Sequence, residues 1–278
     1  MKLNKAQFRA LANKRITLLG MSGVGKTHLA KLIGHNGDWF HFSGDFRIGA
    51  THLKDEIVDN IALKMRKDPW LKTLLNNNSI SVNSQVTFDN LEPISTFLGK
   101  VGNPEEGGLP IDEFARRQAL FMAAETKAMY DVPAFIEHAL NQGQEHFIND
   151  AGGSLCELTD NRVYEVLAEH TLILYIKTSN ANEKMLIDRA QKRPKPLYYQ
   201  AEFLQWALSD YLEEKKLSYV AQIDPDDFVR WVFPKLVANR LPKYQAIADQ
   251  FGYTVSSDAL YQCKTTDDVF NLIDEALD

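Results

Sequence analysis

The stretch Arg15–Gly34, RITLLGMSGVGKTHLAKLIG, constrains this chain more than any other. Ile16 to Leu19 is a short β-branched and aliphatic run that ends at a glycine, the pattern of a buried strand. Gly20-Met21-Ser22-Gly23-Val24-Gly25-Lys26-Thr27 fills every fixed position of G-x-x-x-x-G-K-[ST]. THLAKLI then sets Leu29, Ala30, Leu32 and Ile33 at helical spacing. Glycines allow backbone angles that aim successive N–H groups inward, and the following helix adds its positive N-terminal end. Lys26 would reach the β- and γ-phosphates of a nucleotide, and the Thr27 hydroxyl a magnesium ion. The stretch is therefore read as a phosphate site formed by Gly20, Ser22, Gly23, Val24, Gly25, Lys26 and Thr27. His28 follows directly and completes the expected nucleotide-binding set, though it suits packing or solvation better than catalysis. No Asn-Lys-x-Asp guanine motif is readable, so ATP with Mg2+ is the expected cofactor pair.

The 278 residues leave room for one large α/β domain, or for a core with an insert. Hydrophobic residues make up 45%, enough for a packed core. The net charge of −6 argues against a non-specific nucleic-acid binder, whose affinity comes from neutralising phosphates. Cys156 and Cys263 form no CxxC or Cys/His metal spacing, so a reducing compartment is expected, and Cys156 reads as a small buried hydrophobe. MKLNKAQFRALANKR lacks the apolar core of a signal peptide, and no run approaches the roughly 18 apolar residues of a membrane span. A cytoplasmic location with no membrane partner is the expectation.

Further strands are expected at 39–42, 146–149, 171–176 and 252–255. The first ends in Ser43-Gly44-Asp45, an acidic residue where open α/β sheets bind ligands. The second ends in Asn149-Asp150 before Ala151-Gly152-Gly153-Ser154, an apolar strand closed by the carboxylate that supports magnesium in such sites. HTLILYIK lacks alternation, as a parallel strand covered on both faces does. Between the strands at 39–42 and 146–149 lies the segment 54–144, about 90 residues, far beyond an ordinary connection. They include EIVDNIALKMRKDPWLKTLL, which is helix-like, and the polar NNNSISVNSQVTFDN, read as a loop or small hairpin. IDEFARRQALFMAAETKAM is expected as a helix capped by Asp112, with Phe114, Arg117, Phe121, Ala124 and Ala128 near one face. DVPAFIEHALNQG is expected as the next. NEKMLIDRAQKRPKPLYY reads as a basic helix broken at Pro194, and KTTDDVFNLIDEALD as a terminal helix opened by a Thr265/Asp268 capping box. Trp231 and Phe233 read as core. The fold class is α/β: a P-loop NTPase core with a parallel five-stranded sheet flanked by helices, and a mainly helical insert. The core comprises 1–53 and 145–278, with a lid at about 181–200, and the insert 54–144 is the expected substrate or partner-binding region.

These residues resemble the P-loop kinases of small metabolites, especially the shikimate and gluconate kinase branch. The likeness rests on the P-loop, on Ser43-Gly44-Asp45, on Gly152-Gly153-Ser154 and on Arg189-Ala-Gln-Lys-Arg193-Pro-Lys-Pro-Leu197. Those kinases carry an Asp-x-Asp motif, a glycine triplet and a lid with paired arginines at these places. Here Ser43 replaces the first aspartate, Ser154 replaces the third glycine, and the insert is far longer. The whole chain also looks like a bacterial family described as ATPases.

The resemblance implies a phosphotransferase in which Lys26, Asp45, Arg189 and Arg193 are catalytic. Lys26 would neutralise charge on the transferring phosphoryl group, and Thr27 and Asp150 would hold magnesium. Asp45 would orient or deprotonate the acceptor hydroxyl, its plain alternative being a turn or N-cap residue. Arg189 and Arg193 would close over the γ-phosphate, their alternative being a solvated basic face. Asp45, Gly152, Gly153, Arg116 and Arg117 are the acceptor-binding candidates, the two arginines as a grip for an anionic group. The expected partners are a nucleotide and a small-molecule acceptor. The rival reading is an ATPase that couples hydrolysis to a conformational change, with a protein partner on the insert.

Overall fold

The computed structural model describes residues 2–34 and 37–277. Its centre is a five-stranded parallel sheet of β1 (Arg15–Leu19), β2 (Trp39–Ser43), β3 (His146–Asp150), β4 (Leu172–Lys177) and β5 (Gly252–Ser256). The strand order is β2-β3-β1-β4-β5, with every neighbouring pair parallel. All five expected strands are present within a residue or two.

Burial on both faces explains the unbroken apolar run of β4. Ile16, Leu18, Ile148, Leu172, Leu174 and Ile176 join one buried cluster with Leu29, Ile33, Val269 and Ile273, from the helices Lys26–Ile33 and Thr266–Leu277. Leu19, Phe147, Ile173 and Tyr175 join a second cluster on the opposite face. That second cluster also holds Leu53, Ile57, Ile94, Phe121 and Ile136, so the segment expected as an insert packs its apolar side directly on the sheet. A third cluster joins Phe114 and Val101 to the helix Ala201–Lys215 and the first half of the helix Pro225–Phe251.

The helix Ile111–Tyr130 buries Phe114, Arg117, Phe121, Ala124 and Ala128, the face that its spacing predicts. Its N-cap is Pro110 rather than Asp112, with no side-chain cap bond; Asp112 falls inside the first turn, where it complements the helix dipole. The stretch after Lys54 divides into the helices Lys54–Met65 and Pro69–Asn76, because the Asp68 side chain caps a new helix with Pro69 at its first position. The polar stretch after it has a single bridge, Thr87 to Asn90. The Thr265/Asp268 capping box forms: Asp268 N–H donates to Thr265 Oγ1 at 3.2 Å and Thr265 N–H to Asp268 Oδ2 at 2.9 Å. Phe233 is buried, as expected, within Pro225–Phe251, a helix that carries Pro234 and Pro242 in its interior. Both cysteines are buried and free. Among the described residues no helix is long and apolar enough to cross a membrane.

Candidate active site

The carboxyl ends of β1, β2 and β3 converge on one cavity of about 290 Å3. Its walls include Ser22, Gly23, Gly25, Lys26, Thr27 and His28 on one side, and His41, Ser43, Asp45, Asp150 and Gly153 on the other. In the turn between β1 and the helix Lys26–Ile33, Gly23 and Gly25 have φ of +86° and +109°, left-handed values that favour glycine. Lys26 opens the helix, is 7% exposed, and donates through Nζ to the carbonyls of Gly20 at 2.7 Å and Met21 at 3.1 Å. Burial pushes its pKa down, against the pull of Asp150, Asp45 and Glu125.

Thr27 Oγ1 donates to Asp150 Oδ2 at 2.6 Å, joining the turn to the end of β3. His41 Nε2 lies 3.7 Å from the same carboxylate oxygen, beyond hydrogen-bond distance, and has no hydrogen-bond partner among the described residues. Burial would push the Asp150 carboxyl up, but the His41 ring, Lys26 and Thr27 together hold it below the ordinary range. Asp45 lies in the short helix Gly44–Arg47 after β2. Ser43 is the N-cap there, its Oγ accepting from Phe46 N–H at 3.2 Å, so Asp45 has no capping duty. Enclosure by protein pushes the Asp45 carboxyl above the ordinary range; Lys26 opposes this and Asp150 reinforces it.

The turn after β3 fits this space because Gly152 and Gly153 lack side chains. A Cβ on Gly152 would press on Asp45 Oδ1 at 3.1 Å and closer still on Glu125 Oε1. A Cβ on Gly153 would meet Ser22 N at 2.8 Å. Ser154 Oγ donates to Glu125 Oε2 at 2.7 Å, while Glu125 Oε1 is buried without a partner. Burial is the main reason that the Glu125 carboxyl is pushed up to about 8.

Arg189 lies on the helix Asn180–Lys192 and Arg193 is its C-cap, the helix ending just before Pro194. Both line a second cavity of about 830 Å3 that shares Ser22 and Gly23 with the first. A Cβ on Gly23 would stand 3.1 Å from an Arg189 guanidinium nitrogen. Arg116 and Arg117 are spent elsewhere and line neither cavity. Arg116 Nε donates to Glu113 Oε2 at 2.8 Å. Arg117 is buried, donates to Glu113 Oε1 at 2.7 Å and to the Phe97 carbonyl at 2.5 Å, and lies over the Phe97 ring. His28 is exposed, with its ring stacked on Tyr261 at 6.4 Å between centroids.

Several residues at the site gave no signal in the sequence. His41 alternates with aromatic residues in β2, and Glu125 sits in a helix that reads as amphipathic. Phe88 and Leu91 reach the cavity wall from the polar stretch of the insert. Arg240 and Tyr244 lie in a helix whose two prolines hide its length.

No protein-family profile matches the chain, and neither does any curated protein. Solved structures do. The shikimate kinase of Bacteroides thetaiotaomicron is 14% identical, with 95% of this chain and 98% of that one covered and a TM-score of 0.45. The Acinetobacter baumannii shikimate kinase in complex with shikimate is 14% identical, with coverages of 85% and 99% and a TM-score of 0.32. A gluconokinase from Sinorhizobium meliloti 1021 is 13% identical, with coverages of 90% and 97% and a TM-score of 0.25.

Proposed function

We propose that this protein is an ATP-dependent phosphotransferase acting on a small hydroxyl-bearing metabolite. The observation that carries the reading is the Asp45 carboxyl. It shares a cavity with the phosphate-binding turn, and Ser43 has relieved it of the capping role that a bystander aspartate would fill. The glycine-rich turn and its magnesium support serve hydrolysis and transfer alike; a raised carboxyl beside them suits removal of a proton from an acceptor hydroxyl or from water, and dependence on an acceptor separates the two.

The residues present fit MgATP. The turn has the left-handed glycines, Gly23 and Gly25, that anion-binding nests use, and the Thr27 hydroxyl with the Asp150 carboxylate is a donor set that magnesium shares with phosphate oxygens. Bound MgATP would supply the phosphoryl group, with the ion neutralising charge on its oxygens. Lys26 would exchange the two carbonyls it now holds for phosphate oxygens, delivering a buried charge at a fixed position. Asp45 would accept the acceptor's hydroxyl proton. Arg189, poised over Gly23, would close on the phosphates and exclude water, with Arg193 behind it at the helix end.

The test is ADP release from MgATP by the purified protein, alone and with pooled small-metabolite fractions, beside Lys26→Ala. Release that rises only with a fraction, and falls on the order of 10²-fold or more in Lys26→Ala, is the expected result. Equal Lys26-dependent release without any acceptor would make the protein an ATP hydrolase instead and turn the search toward protein partners.

A further inference from the structure

The carbonyl of Gly153 is held more firmly than a turn requires. Arg240 donates to it through a terminal guanidinium nitrogen at 2.8 Å, and Tyr244 through its hydroxyl at 2.7 Å. A carbonyl oxygen has two lone pairs, and here each has its own donor. Both donors come from one face of Pro225–Phe251, four residues apart. Arg240 is 4% exposed and is itself braced: Nε and the other terminal nitrogen donate to Glu157 Oε2 at 2.9 and 2.6 Å. Burial alone would lower its pKa, and the Glu157 carboxylate more than offsets that, so the guanidinium stays charged. The same nitrogen that reaches Glu157 also donates to the carbonyl of Tyr198, at the end of the lid segment, at 2.8 Å. Tyr244 is fixed by a stacked Tyr175 ring, 5.4 Å between centroids.

On its other side, Gly153 abuts Ser22 of the phosphate-binding turn so closely that a methyl group would not fit. The turn after β3 is thus wedged between the long helix and the phosphate site. We infer that Arg240 and Tyr244 are positioning residues: by fixing the Gly153 carbonyl they set where an acceptor meets the phosphoryl group, and through Tyr198 Arg240 ties the base of the lid to the same point. The inference rests on the phosphotransferase reading. Neither side chain lines the cavity over Lys26, so neither need touch the reacting atoms. Placement errors of an ångström are costly in such reactions.

Tyr244→Phe is the decisive variant, because it deletes one donor and keeps the ring and the Arg240–Glu157 pair. The expected result is acceptor-dependent kcat reduced about five- to tenfold, the scale of one lost hydrogen bond, with the ATP Kd within about twofold and Tm within a few degrees. Hydrogen exchange at residues 152–155 should quicken in the same variant, while exchange in the helix Lys26–Ile33 stays as in wild type. Wild-type kcat together with quickened exchange would overturn the inference and leave the phosphotransferase intact. Unchanged exchange would overturn it as well, since the carbonyl would then be held without Tyr244. If Tyr244→Phe fails to fold, Glu157→Gln carries the same comparison, because it loosens Arg240 without removing it. Wild-type protein that shows no acceptor-dependent release with any fraction would defeat the phosphotransferase reading, and this inference with it.

Discussion

Two sets of cations face the glycine-rich turn, and they are organised in opposite ways. Lys26 is buried, tied to two backbone carbonyls and set among the carboxyls of Asp150, Asp45 and Glu125. Arg189 and Arg193 are exposed, and neither side chain has a hydrogen bond or ion pair among the described residues. A buried, prepositioned charge loses no side-chain entropy when a ligand arrives, whereas an exposed arginine must surrender its rotamer freedom each time. The gain from the second arrangement is motion: a lid can admit a ligand that a rigid cradle could not. Under the proposed phosphotransfer, the fixed cation would stabilise charge at every turnover and the exposed ones would close around it.

The strongest way to break this contrast lies at the carboxyl facing Lys26. Asp45→Asn should lower transfer by about 10²–10⁴-fold, the range for a lost general base, while MgATP binding measured by calorimetry stays near wild type. Loss of MgATP binding instead would make Asp45 part of the metal site and move the base elsewhere. A smaller effect is expected on the lid. Arg189→Ala should cost about tenfold in turnover yet shift stability by no more than ~0.5 kcal/mol, as exposed surface changes do. A large drop in Tm would show that this arginine is structural, and the contrast with Lys26 would collapse.

The smallest effect sharpens the buried side. The Glu125 carboxyl titrates at about 8 in the folded chain against an ordinary 4.5, so between those values the native state binds more protons than the unfolded one. Stability contributed by Glu125 is therefore greatest below about pH 4.5 and is lost as pH rises toward 8. Glu125→Gln, which mimics the protonated form, should gain Tm relative to wild type on going from about pH 5 to about pH 9. A difference independent of pH would mean that the carboxylate is ionised in the fold, held by a partner other than Ser154.

The half of the site around Lys26 was readable because it is contiguous. One strand, one turn and one helix supply its nest, its lysine and its threonine, and each residue type has a local reason. Asp45 and Asp150 were readable in part, since strand ends in a parallel sheet point at the ligand. Arg116 and Arg117 had the right chemistry, but Glu113, three and four positions before them on the same helix, pairs with both, a spacing that the sequence does show, whereas the Phe97 carbonyl that holds Arg117 comes from a distant segment that no local pattern reports. Glu125, Arg240 and Tyr244 acquire meaning only where chain segments far apart in sequence meet: Arg240 finds Gly153 across 87 positions. Pro234 and Pro242 add to the difficulty, because interior prolines usually end a helix, and here tertiary packing carries Pro225–Phe251 past both.

The strand order has a kinetic consequence. β3 lies between β1 and β2, and β1 is flanked on its other side by β4. Neither of the first two strands pairs with the other, so a chain emerging during synthesis carries the complete phosphate-binding motif long before either strand has a neighbour. Closing the long segment from Ser43 to His146 costs little more free energy than closing a shorter one, because loop entropy grows only with the logarithm of length. It does slow the search, since distant pairings must form before they reward the chain. The glycine-rich turn is synthesised early and meets its carboxylate late, once β3 has threaded between the two strands and brought Asp150 to Thr27.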